Sequence, residues 1–494
     1  MKRYCSDYPK IESIDSVNAC NLDRFLKDSI DGDEKLNLVV VDDNEDTIDI
    51  FRNYIDSHEY DGTYYFVGCS EILSQYKQWF KIFKDIQPFY AVKCNPEQAI
   101  VRLMSTFPNM CYDCASPAEL QSVFNTGLGP ERTIYANPIK SAEGIRYMQK
   151  HNVMVSTIDC VEELEKMFAL LGSSFCEFKL VIRLWVDDSH SSVPLGSKFG
   201  AHISEIPAIM AKIQEYNGQY IGVSFHVGSG CSDGYAYDNA IHTASDVAAI
   251  ARDYGYDTTF LDLGGGWSGW LESEHNSELQ ERSEIVRNAI KKYHLEGVEV
   301  IAEPGRFFVD RSIHMCVTID RKILNKESFN NTDQIEEGQI IPTFKNGSPI
   351  APKYKVYENH SDFFIKKDII YQLGEGYEGG FKDRCLCDKL FSCQPLFVNI
   401  NKHIAKRTVD SQRNKPIYNC LLVGPSENRQ EIINDNSPLP LLPNGDWLVF
   451  PNQGSYTMSI CTKQVRQGQR IVFFIRRNTI SDEMYQYYLN HYKD

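Results

Sequence analysis

The chain has 494 residues, 42% of them hydrophobic and 24% charged, which is ordinary for a soluble globular protein with room for two or three domains. Its net charge of -16 argues against nucleic acid or an anionic membrane as a partner and leaves small cationic ligands open. No apolar run approaches a membrane span, Met1 to Lys10 lacks the apolar core of a signal peptide, and the 15 scattered cysteines read as reduced thiols, so a cytoplasmic setting is expected.

Residues 1–65 are acidic and weakly patterned, an N-terminal segment expected to pack in part on a later β domain. Residues 69–83 then carry the apolar spacing of a helix. From 88 to 306 short apolar runs alternate with polar or glycine breaks and amphipathic stretches. Strands are expected at 88–93, 110–115, 133–138, 154–159, 179–186, 220–227, 258–263 and 299–303, and helices at 117–124, 161–171 and 284–294 among them. Eight such units predict an α/β fold, a (β/α)8 TIM barrel over 66–309. Beyond it, 316–324, 368–374, 419–424, 446–450 and 470–477 read as strands without regular helices. They predict a mainly β C-terminal domain over 310–494, with a polar, irregular insertion at 325–367.

A barrel of this kind carries its active site at the C-terminal ends of its strands. Those ends bear Lys93, Asp113, Asn137, Arg183, His226, Gly264 to Gly266, and Glu303 to Arg306. Asn137 and Asp159 read as caps or turn residues. The glycines at 228–230 and 264–266 let backbone N–H groups approach a phosphate, with Arg306 as a cation beside them. A phosphate cradle combined with a strand-end lysine suggests pyridoxal 5'-phosphate, with Glu303 on the ring nitrogen and His226 against the ring face. The G-x-G-x-x-G match at 374–379 lies outside any βαβ unit and carries no dinucleotide reading. The close pairs Cys111/Cys114 and Cys385/Cys387 lack a second pair at zinc spacing and read as packing residues, with no metal expected.

PFYAVKCN (88–95), YDCAS (112–116), KFGA (198–201), SFHVGSGC (224–231), LDLGGGW (261–267), AEPGRFFV (302–309) and GSYT (454–457) together resemble the eukaryotic ornithine decarboxylase family. These are fold-type III pyridoxal-phosphate enzymes built from a barrel and a β domain, and the likeness runs in order from about residue 64 to 480. It implies that Lys93 is the Schiff-base lysine and that Asp113, Glu119, Arg183 and His226 line the cofactor. It further implies that Ser229, Gly265, Gly266, Arg306 and Tyr456 contact the phosphate, that Glu303 binds the ring nitrogen, and that Lys198 sits on a loop over the site.

The pattern breaks on the substrate side. The family carries a Cys-Asp pair after a G-P-[ST] turn, the cysteine as proton donor and the aspartate as anchor of the substrate's distal amine. Here Gly424-Pro425-Ser426 is followed by Glu427 and Asn428. Asp388 is the nearest match to the family's other amine-binding aspartate. One reading is a decarboxylase of a basic amino acid, ornithine by default, in polyamine biosynthesis, with Glu427 as the replacement proton donor. The alternative is a catalytically inactive paralogue, a regulatory subunit or antizyme-inhibitor-like protein. The resemblance implies a homodimer with shared active sites, or a heterodimer with an active paralogue, and admits antizyme as a partner. Residues 140–165 correspond to the antizyme-contacting region; Lys140, Arg146 and Lys150 are offset there by Glu143, Glu162, Glu163 and Glu165, which reads as a solvated helix face.

Overall fold

Eight parallel strands close into a barrel in the computed structural model, labelled here β1 Gln87–Ala91, β2 Cys111–Cys114, β3 Thr133–Tyr135, β4 Val155–Ile158, β5 Lys179–Arg183, β6 Gln219–Ser224, β7 Phe260–Asp262 and β8 Glu299–Ala302. Each pairs with the next in chain order, and β8 returns to β1. The structure describes residues 20–32, 35–58, 60, 62–269, 273–325, 343–345, 348–350, 367–387, 389–397, 416–426 and 431–492. The TIM barrel read from the alternation of apolar runs is therefore present.

Alternate residues of a strand face opposite sides. Phe89, Cys111, Ile134, Val155, Val181, Ile221, Phe260 and Ile301 form one buried cluster with a member from every strand, which is the barrel filling. Two residues further along the same face come Asp113 on β2, Arg183 on β5 and Asp262 on β7, and Glu303 just past β8. An apolar plug thus sits below a polar rim. Helices cover the outside, among them Cys69–Ile82, Pro117–Phe124, Ala142–His151, Val161–Leu171 and Tyr235–Asp253. Ser116 and Ser141 cap two of them, each hydroxyl accepting a backbone N–H of the first turn.

Several expected strands end early. The run at 88–93 stops at Ala91, and Val92–Cys94 is a 3-10 turn, so Lys93 lies just beyond the strand. Those at 133–138, 179–186 and 220–227 end at Tyr135, Arg183 and Ser224. The residues past each end keep strand-like composition, but their polar groups serve loops: the Asn137 amide donates to the Ala115 carbonyl at 3.2 Å. The helix expected at 284–294 begins at Ser273. Lys140 departs from the solvated-face reading. It is buried, with Nζ 3.1 Å from Glu163 and donating to the carbonyls of Asn137, Pro138 and Thr157.

The chain divides into two compact units, one of residues 1–33, 70–310 and 479–494, the other of 34–69 and 311–478. The second holds a nine-stranded sheet. Asn37–Val41 and Thr63–Gly68 flank Gln469–Arg476 in parallel, and Thr63–Gly68 pairs in turn with Ile313–Leu324. The path continues through Ile369–Leu373 and Ile417–Val423 to Ile432–Pro440 at its end. Phe51, Phe66, Trp447, Val472 and Phe474 share its core. Of the insertion at 325–367, the structure describes a hairpin, Thr343–Lys345 with Ser348–Ile350, and residues 325 and 367. Among the described residues no helix is long and apolar enough to cross a membrane. Cys111 and Cys114 are buried free thiols on β2.

Candidate active site at the barrel mouth

The turn after β1 aims Lys93 at β2. Its Nζ donates to Asp113 Oδ2 at 2.8 Å, with the lysine side chain 34% exposed and the aspartate fully enclosed. The other Asp113 oxygen is buried without a hydrogen-bond partner. Glu119 stands behind this pair on helix Pro117–Phe124. It accepts the Ala115 N–H at 2.9 Å and the Ser116 hydroxyl at 3.1 Å. Burial raises its carboxyl above the usual range, partly opposed by the Ala115 N–H.

Glu303 lies across the mouth and is buried. Burial, then the charges of Asp113 and Asp262, push its carboxyl well above the ordinary range, while Lys93 acts the other way. Asp262 is raised too, again by burial first, with the Gly264 N–H opposing. His226 follows β6. Its Nδ1 accepts the Gly228 N–H at 2.9 Å, which leaves the ring proton on Nε2. Burial, then the cations Arg183 and Lys93, lower its pKa well below the usual imidazole value, so the ring is neutral. Arg183 itself lies over the Phe199 ring at 4.9 Å.

The rim is completed by two glycine turns. Gly264 takes φ +61°, and a Cβ there would run into the Phe225 carbonyl. A Cβ at Gly265 would sit 2.5 Å from His226 Nε2, so the imidazole packs directly on that backbone. Tyr237 supports the turn from behind, its hydroxyl donating to the Gly265 carbonyl at 3.0 Å, with Gly266 next in the chain. In the other turn the Ser229 hydroxyl accepts from Arg306 Nε at 2.7 Å.

The structure thus brings Lys93, Asp113, Glu119, Arg183, His226, Ser229, Gly265, Gly266, Glu303 and Arg306 to one barrel. Tyr456 belongs to the other unit, where it is half-buried with φ +52°. Glu427, Asn428 and Asp388 lie outside the described residues. Lys198 is exposed in the loop before Gly200. Sequence reasoning singled out neither Asp262 nor Tyr237. For Asp262 a signal existed: an acid two residues before a glycine run, in phase with the barrel filling.

Residues 69–310 match the family model for the pyridoxal-binding domain of pyridoxal-dependent decarboxylases. Over the longer chain, a probable ornithine decarboxylase of Dictyostelium discoideum is 31% identical across 388 residues, 78% of this chain and 74% of that one. Antizyme inhibitor 2 of Xenopus laevis is 30% identical across 416 residues, 84% and 81% of the two chains. Among solved structures, the Paramecium bursaria Chlorella virus arginine decarboxylase bound to agmatine superposes with a TM-score of 0.69 and 26% identity, covering 87% of this chain and all of that one. With such likeness along most of its length, this chain belongs to the ornithine decarboxylase family of pyridoxal-phosphate-dependent decarboxylases.

Proposed function

We propose that this chain binds pyridoxal phosphate in the barrel mouth through Lys93 and decarboxylates a basic amino acid, with ornithine the first substrate to test. The observation that carries the reading is the Lys93–Asp113 pair at 2.8 Å beside the buried Glu303. The donor set suits the cofactor: an amine for its aldehyde, a carboxyl for its ring nitrogen, and a guanidinium, a hydroxyl and glycine N–H groups for its phosphate. Bound there, the cofactor supplies an electron sink for the electron pair released as the carboxylate leaves.

The chain's own residues orient and exclude. Asp113 holds the Lys93 amine at the mouth. Ser229 and Arg306, joined at 2.7 Å, form a preset clasp for a dianion beside the turns of Gly265 and Gly266. His226, neutral and locked by the Gly228 N–H, offers a flat apolar face without a competing cation. Glu119 backs Lys93 and Asp113, while Arg183 faces His226 and Asp262. We assign Tyr456 to the phosphate, Asp388 and Asn428 to the substrate's distal end, and Glu427 to protonation of the product carbon. Neutral Asn428 in place of an aspartate should weaken a cationic side chain's hold by about 2–5 kcal/mol. The assembly we propose is a homodimer, or a heterodimer with an active paralogue, in the cytoplasm, with antizyme as a candidate partner.

A second reading, a non-catalytic regulatory paralogue, is favoured by the likeness to antizyme inhibitor 2 and by Glu427-Asn428 standing where the family has Cys-Asp. One assay separates the two. Purified protein is loaded with pyridoxal phosphate and given ornithine, lysine or arginine, and carbon dioxide and amine are measured. Turnover of one of them is expected. A yellow protein that turns over none favours the regulatory reading, and a protein that never colours contradicts both the cofactor assignment and the enzyme.

A further inference from the structure

Asp262 ends β7, fully buried, two residues before the positive-φ glycine Gly264. Its Oδ1 accepts the Gly264 N–H at 2.9 Å, and the Gly264 carbonyl accepts the Glu303 N–H at 2.8 Å. The first residue of the glycine turn is therefore gripped from both sides, by the Asp262 side chain and the Glu303 backbone. Among the described residues no N–H or O–H donor reaches the buried Asp262 Oδ2 other than the neighbouring Glu303 carboxyl, when that is protonated. Two enclosed carboxyls in contact cannot both ionise at ordinary cost, and a shared proton satisfies the orphan oxygen.

We propose that Asp262 and Glu303 share one proton, and that Asp262 is thereby the positioning residue that sets the orientation and charge of Glu303 while bracing the glycine turn. The role towards the cofactor rests on Glu303 being the ring-nitrogen partner; the shared proton does not. Asp113 on β2 faces both acids and disfavours their ionisation, whereas Lys93 after β1 favours it at Glu303 and Arg183 on β5 favours it at Asp262. Among the described residues no donor other than the pair itself is left to quench Oδ2.

The sign of the pH effect follows. Both groups sit above their unfolded values near ~4, so the native chain binds more protons than the unfolded one. The stability they contribute is complete below that range and is lost as pH rises through the raised native values. In Asp262→Asn the amide oxygen still accepts the Gly264 N–H and the amide N–H can donate to Glu303, which keeps the turn but removes the shared proton.

The test uses the cofactor-free full chain, with thermal midpoint followed against pH for wild type and Asp262→Asn, and pyridoxal phosphate affinity titrated by absorbance at each pH. The variant is expected to lose the decline in midpoint above the carboxylate range. Its affinity profile should also move to lower pH, giving about tenfold tighter relative binding at the acid end for each unit moved. Parallel midpoint curves would overturn the shared proton. Glu303→Gln separates the two ideas: if it binds cofactor with the wild-type pH profile, the ring-nitrogen role of Glu303 falls, while the cofactor-free curves still decide the pair. Should Asp262→Asn not fold, Asp262→Glu, which keeps the acid but displaces it, must change the same curve.

Discussion

Lys93 is accommodated just past a buried strand because Asp113 accepts from its Nζ at 2.8 Å while a third of the side chain remains in reach of water. An unpartnered amine or carboxyl enclosed there would cost several kcal/mol, so each group makes the other tolerable. The glycines beside them answer to geometry rather than charge. Gly264→Ala places a Cβ on the Phe225 carbonyl in left-handed backbone and should cost roughly 2 kcal/mol or more, lowering the thermal midpoint and weakening pyridoxal phosphate binding together. A variant with wild-type midpoint and affinity would mean the turn is not held as described. At this scale the sequence is legible where composition is unusual for its place: a lysine after an apolar run, an acid before Pro-Gly-Arg. It is not legible where meaning depends on a partner distant in the chain. Asp262 looks like a strand-end acid until Glu303 is beside it, and Lys140 looks solvated until three carbonyls and Glu163 enclose it.

Elements were read best where local rules act alone. Helices Pro117–Phe124 and Val161–Leu171 follow their apolar spacing residue for residue. Pro117 opens the first of them, and the Ser116 hydroxyl accepts the Glu119 N–H at 3.3 Å. Ser116→Ala should therefore cost about 1 kcal/mol and lower the thermal midpoint by roughly 2–4 °C. Because Ser116 also donates to Glu119, an unchanged midpoint would show that the cap is dispensable. Barrel strands were read too long, since residues past each end stay apolar enough to resemble strand while turning to build the rim. Ile432–Pro440 was missed for the opposite reason: Asn434, Asp435, Asn436, Pro438 and Pro440 read as loop, and only a position at the end of the sheet path tolerates those prolines. Thr63–Gly68 lay hidden in an acidic segment with no local partner, its neighbours Gln469–Arg476 and Ile313–Leu324 being far along the chain.

The two units of the molecule are interleaved in chain order. The unit that holds the barrel takes 70–310 together with the described residues 20–32 and 479–492, and the sheet unit takes 34–69 with 311–478. Residues 1–65 are expected from sequence to pack in part on the β domain, and Asn37–Val41 and Thr63–Gly68 both run beside Gln469–Arg476 in its sheet; which strand they join is not legible from chain order. The net charge of -16, adverse to polyanions, suits the cationic amino acid proposed as substrate. The central claim is narrower than any of these: among 51 lysines and arginines, Lys93 is the residue that holds the cofactor. Borohydride treatment of pyridoxal-phosphate-loaded protein, followed by peptide mapping, tests it directly. A single pyridoxyl group is predicted on the peptide containing Lys93 and absent in Lys93→Ala; a label on another lysine, or none, would contradict the account.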